Sequence, residues 1–138
     1  MSELNQLFKQ SLHESFFKPF KRQSKNYNFQ ENGTDYVIRV PSRHATAFRI
    51  ETDKLKIFGS EPPADVCKMC DAIFIVHHNN KDFVIAVEIK TQNKDDYKEQ
   101  LYNARLFCQW QIALLREYGH LKTEPVYSGM LIRQTNPS

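Results

Sequence analysis

The stretch CDAIFIVHHNNKDFVIAVEIK, residues 70–90, constrains this chain more than any other segment. Two apolar runs, 72–76 and 83–87, flank an Asn-Asn pair. Asparagine tolerates positive φ, so Asn79 and Asn80 read as the two loop residues of a β-hairpin. Ala72, Phe74 and Val76 line one face of the first strand, and Ile73 and Ile75 line the other. A strand apolar on both faces is buried on both sides. Charged residues seldom enter such strands without a reason. Yet Asp71 opens the stretch, and Glu88 and Lys90 close it.

The turn predicts where these three charges meet. With Asn79 and Asn80 in the loop, His78 faces Lys81 and Asp71 falls directly opposite Glu88. Opposed residues have Cβ atoms about 4.5–5.5 Å apart on one face. Glu88 and Lys90 share that face, because side chains alternate along a strand. A slip of one residue would scatter the cluster. Two opposed carboxylates repel each other, and a divalent cation relieves the repulsion. Mg²⁺ favours a few carboxylates, with water and substrate phosphate completing its shell. A neighbouring lysine suits holding a phosphate oxygen or positioning the attacking water.

The rest of the chain predicts one domain over residues 1–138, a length that builds a single core. Leu4, Leu7, Phe8, Leu12 and Phe16 recur near the helical period, which predicts a helix over 3–17. The segment KPFKRQSKNYNF follows, with Lys18, Lys21, Arg22 and Lys25 set among Phe16, Phe17, Phe20 and Tyr27. Its plainer reading is a solvated loop whose aromatics pack on the core. Its functional reading is a strip that grips phosphates and stacks on bases. Strands are expected over 34–40, 45–51 and 53–58, with a basic turn from Pro41 to His44. From Lys94, the stripe Tyr97, Leu101, Ala104, Cys108, Ile112, Leu115 and Tyr118 predicts a long amphipathic helix. Asp95 and Asp96 suit its positive end, and Gly119 suits its C′ position. Residues 126–133 read as a last strand. The order is helix, three or more strands, long helix, strand, which predicts an α/β fold with a central mixed sheet flanked by helices.

Asp71, an apolar hairpin, then Glu88-Ile89-Lys90 at the end of the next strand resembles the PD-(D/E)XK nuclease superfamily. The likeness covers about residues 3–133 in element order and 63–104 in motif detail. It implies a restriction-endonuclease-like core and Mg²⁺- or Mn²⁺-dependent endonuclease hydrolysis of DNA. It also implies Asp71 and Glu88 as metal ligands, the Ile89 carbonyl as a further metal contact, and Lys90 assisting the water. The family's Pro-Asp has no literal match. Pro63-Ala64-Asp65 is close, so Asp65 competes with Asp71. Many members add a glutamate from the first helix, for which Glu14 is the nearest candidate and Glu3 a second. Some add a glutamine after the lysine, which points to Gln100 before Gln92. Lys18, Lys21, Arg22, Lys25 and Arg43, with Arg39 and Arg49, are the expected phosphate contacts on double-stranded or branched DNA. A chain this small offers few specificity elements, so a homodimer cutting two strands is a natural expectation. The rival reading is a non-catalytic module of the same fold that binds nucleic acid or a protein.

The remaining signals are weaker. A net charge of +3 permits a polyanionic partner without requiring one. Cys67, Cys70 and Cys108 make an odd count, and the N-terminus lacks the apolar run of a secretion signal. With no window long enough to cross a membrane, these features predict a cytoplasmic, reducing setting and no membrane partner. Cys67 and Cys70 form a lone CxxC, whereas zinc would want further ligands from Cys108, His44, His77 or His78. Ordinary packing is the simpler reading. Tyr102, Phe107 and Trp110 on the long helix read as packing or interface residues rather than a base-stacking platform.

Overall fold

A computed structural model describes residues 3–12, 17–31, 33–50, 58–90 and 97–133. Within them the order is α1 (Glu3–Ser11), β1 (Phe17–Pro19), β2 (Arg22–Gln23), β3 (Asn26–Glu31), β4 (Thr34–Arg39), β5 (His44–Ile50), β6 (Ala72–His78), β7 (Lys81–Lys90), α2 (Lys98–Glu117) and β8 (Val126–Arg133). The class is α/β. The main sheet has the order β1-β5-β6-β7-β8, and β2-β3-β4 form a second, smaller sheet. All neighbours in the main sheet run antiparallel except β7 and β8, which are parallel. A parallel pair needs a crossover, and α2 provides it.

The alternation of side chains along β5, β6 and β7 divides the core in two. Phe48, Ile50, Ile73, Ile75, Val84 and Ala86 face the helices and bury Leu4 and Phe8 of α1 with Ala104, Cys108 and Ile112 of α2. Ala47, Ala72, Phe74, Val76, Val87 and Ile89 face the small sheet, where Tyr27 is buried among them. The protein is therefore three layers deep: helices, mixed sheet, small sheet. The helices lie on one face only. The helices expected beside the sheet cover this face, and a sheet-on-sheet contact covers the other.

That small sheet corrects the reading of the basic segment as a loop. Phe17–Pro19 pairs with Phe48–Ile50 at the sheet edge, where a proline's missing N–H costs little. Arg22–Gln23 and Asn26–Glu31 form strands around a turn that puts Ser24 at φ 58°. The expected helix over 3–17 stops at Ser11, and Phe17 belongs to β1. The expected strand over 53–58 lies outside the described residues except for Phe58, which packs against the helix-side core. Lys94, Asp95 and Asp96 also lie outside them.

The hairpin has the expected register. His78 pairs with Lys81 and Ala72 with Val87. Asn79 and Asn80 adopt φ of 51° and 61°, the two left-handed residues of a tight hairpin turn. Most L residues resist that region by about 1–2 kcal/mol each. Replacing both asparagines by alanine is therefore expected to lower stability by about 1–2 kcal/mol, while Asn80→Gly should be neutral or stabilising. Urea midpoints of the two variants check this. The long helix ends as expected. Gly119, at φ 76°, donates its N–H to Arg116, and His120 donates to Leu115, the paired bonds of a Schellman motif. Tyr118 departs from the predicted buried stripe and is 73% exposed. Two successive three-residue steps, from Ile112 to Leu115 and on to Tyr118, each turn the stripe back by about 60°. Tyr118 is also the C-cap, just past the helix, so it has rotated away from the sheet. Among the described residues no helix is long and apolar enough to cross a membrane.

Candidate active site

The parity that sends Val84 and Ala86 to the helix side sends Glu88 and Lys90 there too. Asp71 precedes β6 by one residue and continues its pairing, since its N–H donates to the Val87 carbonyl. Its Oδ2 accepts the N–H of Ile89 at 2.7 Å. The carboxylate is thus clamped across the strand pair, one residue from Glu88. Lys90 Nζ lies 3.8 Å from Glu88 Oε2, and both side chains are largely enclosed. The three predicted charges do meet, on rigid strands at one end of the sheet.

The electrostatics follow from burial. Glu88 is 4% exposed. Burial, then the hydrogen bond and charge of Asp71, push its pKa up to about 8, against a smaller opposing pull from Lys90. The protonated form of Glu88 is therefore favoured at neutral pH. Asp71 and Glu88 are a pair of hard oxygen donors, one of them buried and raised in pKa first by that burial and then by its neighbour. That donor chemistry fits a small divalent cation, which would take the place of the Glu88 proton. Among the described residues no group of three or more His, Cys, Asp or Glu converges to hold a metal. The pair is the whole protein donor set visible there.

No protein family, curated protein or solved structure matches this chain.

The other expected residues divide sharply. Asp65 forms an i,i+3 ion pair with Lys68 at 2.7 Å, and the carboxylate placed opposite Glu88 is that of Asp71. Glu14 and Gln92 lie outside the described residues. Glu3 opens α1 at the far end of the sheet, since Asn5 reaches the His44 carbonyl there. Gln100 lines a depression with Pro62, Pro63, Asp65 and Lys68, and its enclosed Oε1 takes no hydrogen bond. It is not joined to Asp71 or Glu88. Lys21, Lys25 and Arg43 are exposed, and the backbone of Lys18 pairs with Arg49. The guanidinium of Arg22 is committed: it donates to the carbonyls of Val40, Ser42 and Arg43 and lies over the Tyr27 ring. Ser42 in turn donates to the His77 carbonyl. Arg22 and Arg43 thus sit at the His77 end of the sheet, away from Asp71.

Two cations reach this end of the sheet, Arg49, which was expected as a phosphate contact, and Arg133, which was not. Arg49 Nε donates to the Asp71 carbonyl at 3.0 Å. Arg133 pairs with Lys90 across β7 and β8 and lies over the Tyr97 ring. Sequence reasoning passed over Arg133. Its signal was its position as the last residue of a strand whose parallel partner ends at Lys90. Cys70 and Cys108 are core residues, and Cys67 is half-buried. Cys70 is buried, donates to the Ala72 carbonyl and has its thiol pushed up to about 12 by burial. Cys108 is also buried and raised, and neither suits a thiolate zinc ligand. His77 bonds Asp82 across the hairpin at 2.9 Å, which explains its place near the turn without nucleic acid.

Proposed function

We propose that this chain is a metal-dependent phosphodiesterase acting on DNA, with Asp71 and Glu88 as metal ligands and Lys90 beside the attacked phosphate. One observation carries the reading: Asp71 and Glu88 come together from adjacent strands, with Asp71 held by the Val87 carbonyl and the Ile89 N–H, on the face where Lys90 Nζ lies 3.8 Å from Glu88 Oε2. An order of helix, antiparallel three-strand meander, helix and parallel strand is in keeping with a restriction-endonuclease-like core.

Mg²⁺ or Mn²⁺ bound there would supply a Lewis acid for the phosphoryl oxygen and a water of lowered pKa. The chain's own residues do the rest. The Ile89 N–H holds Asp71 in place, so little reorganisation is needed on loading. Glu88 must lose its proton to become a ligand. The Ile89 carbonyl, between Glu88 and Lys90, is the expected third protein contact. Lys90, an ammonium in an enclosed setting, is suited to orient the water or hold a phosphate oxygen. Arg49 and Arg133 supply positive charge at the same end of the sheet and favour an anionic substrate there.

Cleavage of duplex, junction and single-stranded DNA and of RNA, with Mg²⁺, Mn²⁺ or EDTA, tests this. Asp71→Ala and Lys90→Ala are each expected to lose at least about a hundredfold in rate while remaining folded. Wild-type cleavage by both variants would remove the assignment. The absence of a third converging ligand among the described residues favours a second reading, a non-catalytic nucleic-acid or protein-binding module. That reading predicts binding with no cleavage under any metal.

A further inference from the structure

We propose that the outer face of α2 is a self-pairing surface, on which a second copy of this chain docks antiparallel about a two-fold axis through Trp110. The proposal is independent of the nuclease reading. Tyr102, Leu106, Trp110, Leu114 and Tyr118 are 60%, 45%, 55%, 41% and 73% exposed. They stand four residues apart, so they form one continuous ridge along the helix. The face opposite them, Ala104, Cys108, Ile112 and Leu115, is already spent on the core.

The occupant is named by the pattern. The ridge reads Tyr, Leu, Trp, Leu, Tyr, the same in both directions about Trp110. An antiparallel second copy would set Trp110 against Trp110, each Leu106 against Leu114, and each Tyr102 against Tyr118. A two-fold interface demands this self-complementarity, whereas an unrelated partner has no use for it. No charged residue occurs between Arg105 and Arg116, and these two arginines flank the centre almost evenly. A charge-free apolar centre with charges at its margins is how stable interfaces are built. Rows of i±4 residues interdigitate in the commonest helix-packing class, at about −50°. The five side chains expose on the order of 500 Å² per copy, or about 1,000 Å² for the pair, where specific interfaces begin. Trp110 is steadied edge-on by Phe107, with ring centroids 6.4 Å apart, so little ordering remains to be done on docking.

Light scattering of the full chain, over a concentration series reaching about 100 µM, tests this. The expected mass is twice 16.3 kDa, falling to the monomer in Leu106→Glu and Trp110→Glu. Trp110 is the only tryptophan in the chain. Its emission should therefore shift to the blue as the wild type concentrates, and should stay unshifted in Leu106→Glu. Circular dichroism of each variant establishes that it is folded. Trp110→Cys in a Cys67→Ser background should form a disulfide-linked dimer on oxidation, and Lys122→Cys in the same background should not. A wild type that stays monomeric, or a dimer that survives both glutamate variants, would overturn the proposal. So would a dimer in which cysteine at 110 fails to cross-link.

Discussion

Glu88→Gln is expected to abolish metal-dependent cleavage and, in the metal-free protein, to raise the melting temperature at pH 8. Glutamine matches the shape of the protonated carboxyl and keeps a donor for Asp71, so the metal-free geometry survives. It cannot become a carboxylate, so cation binding does not. The stability effect follows from the raised pKa of Glu88, about 8 in the fold against its usual 4.5. The folded state holds the proton more tightly than the unfolded chain. Stability from this group is therefore full below about pH 4.5, falls as pH rises, and levels off above pH 8. The variant has no such proton to lose. Its advantage should be near zero at pH 4.5 and reach on the order of 3 kcal/mol, or about 10 °C, by pH 8. Melting scans of both metal-free proteins across this range measure it. A difference that grows toward acid would contradict the raised pKa of Glu88. Mg²⁺ titration gives the matching result. Apparent affinity in the wild type should rise about tenfold per pH unit up to about pH 8 and then flatten.

Phe74→Ala is expected to cost about 3–5 kcal/mol, the largest loss of stability from any single substitution considered for this chain. Phe74 is 2% exposed in the middle of β6 and meets the Tyr27 ring edge-on, with centroids 5.2 Å apart. Tyr27 is the buried anchor of the small sheet. Removing either ring leaves a cavity between the two sheets. The losses from Phe74→Ala and Tyr27→Ala should not add: a coupling of about 0.5–1.5 kcal/mol is expected from their ring contact. Chemical denaturation of both singles and the double variant yields that number. Strict additivity would mean that the small sheet does not pack where the structure puts it. Asp71 and Glu88 lie toward the other face of the sheet, so any folded fraction of Phe74→Ala should keep the pH behaviour of Glu88.

The candidate site was legible because its determinants are local. Asn79 and Asn80 are chemically suited to positive φ, and once they form the turn the pairing of Asp71 with Glu88 is arithmetic. The same holds for α2, whose inner stripe runs for four turns, and for its stop at Gly119. What was illegible depended on partners distant in the chain. In KRQSKNYNFQ the apolar residues are sparse, because β2 and β3 need cover on only one side. Such strands declare themselves only when β6 and β7 present a face to cover. Arg22 looked like a phosphate ligand for the same reason, since the carbonyls that occupy it are contributed by residues 40–43.

By itself, then, the sequence determined the hairpin, its register, the long helix and the meeting of Asp71, Glu88 and Lys90, because each follows from turn chemistry or periodicity within a short span. Only the tertiary structure decided that the basic segment becomes a second sheet, that Tyr118 points outward, and that Glu88 is buried and raised in pKa. Those three are set by which surfaces are removed from water, and that is a property of the packed layers.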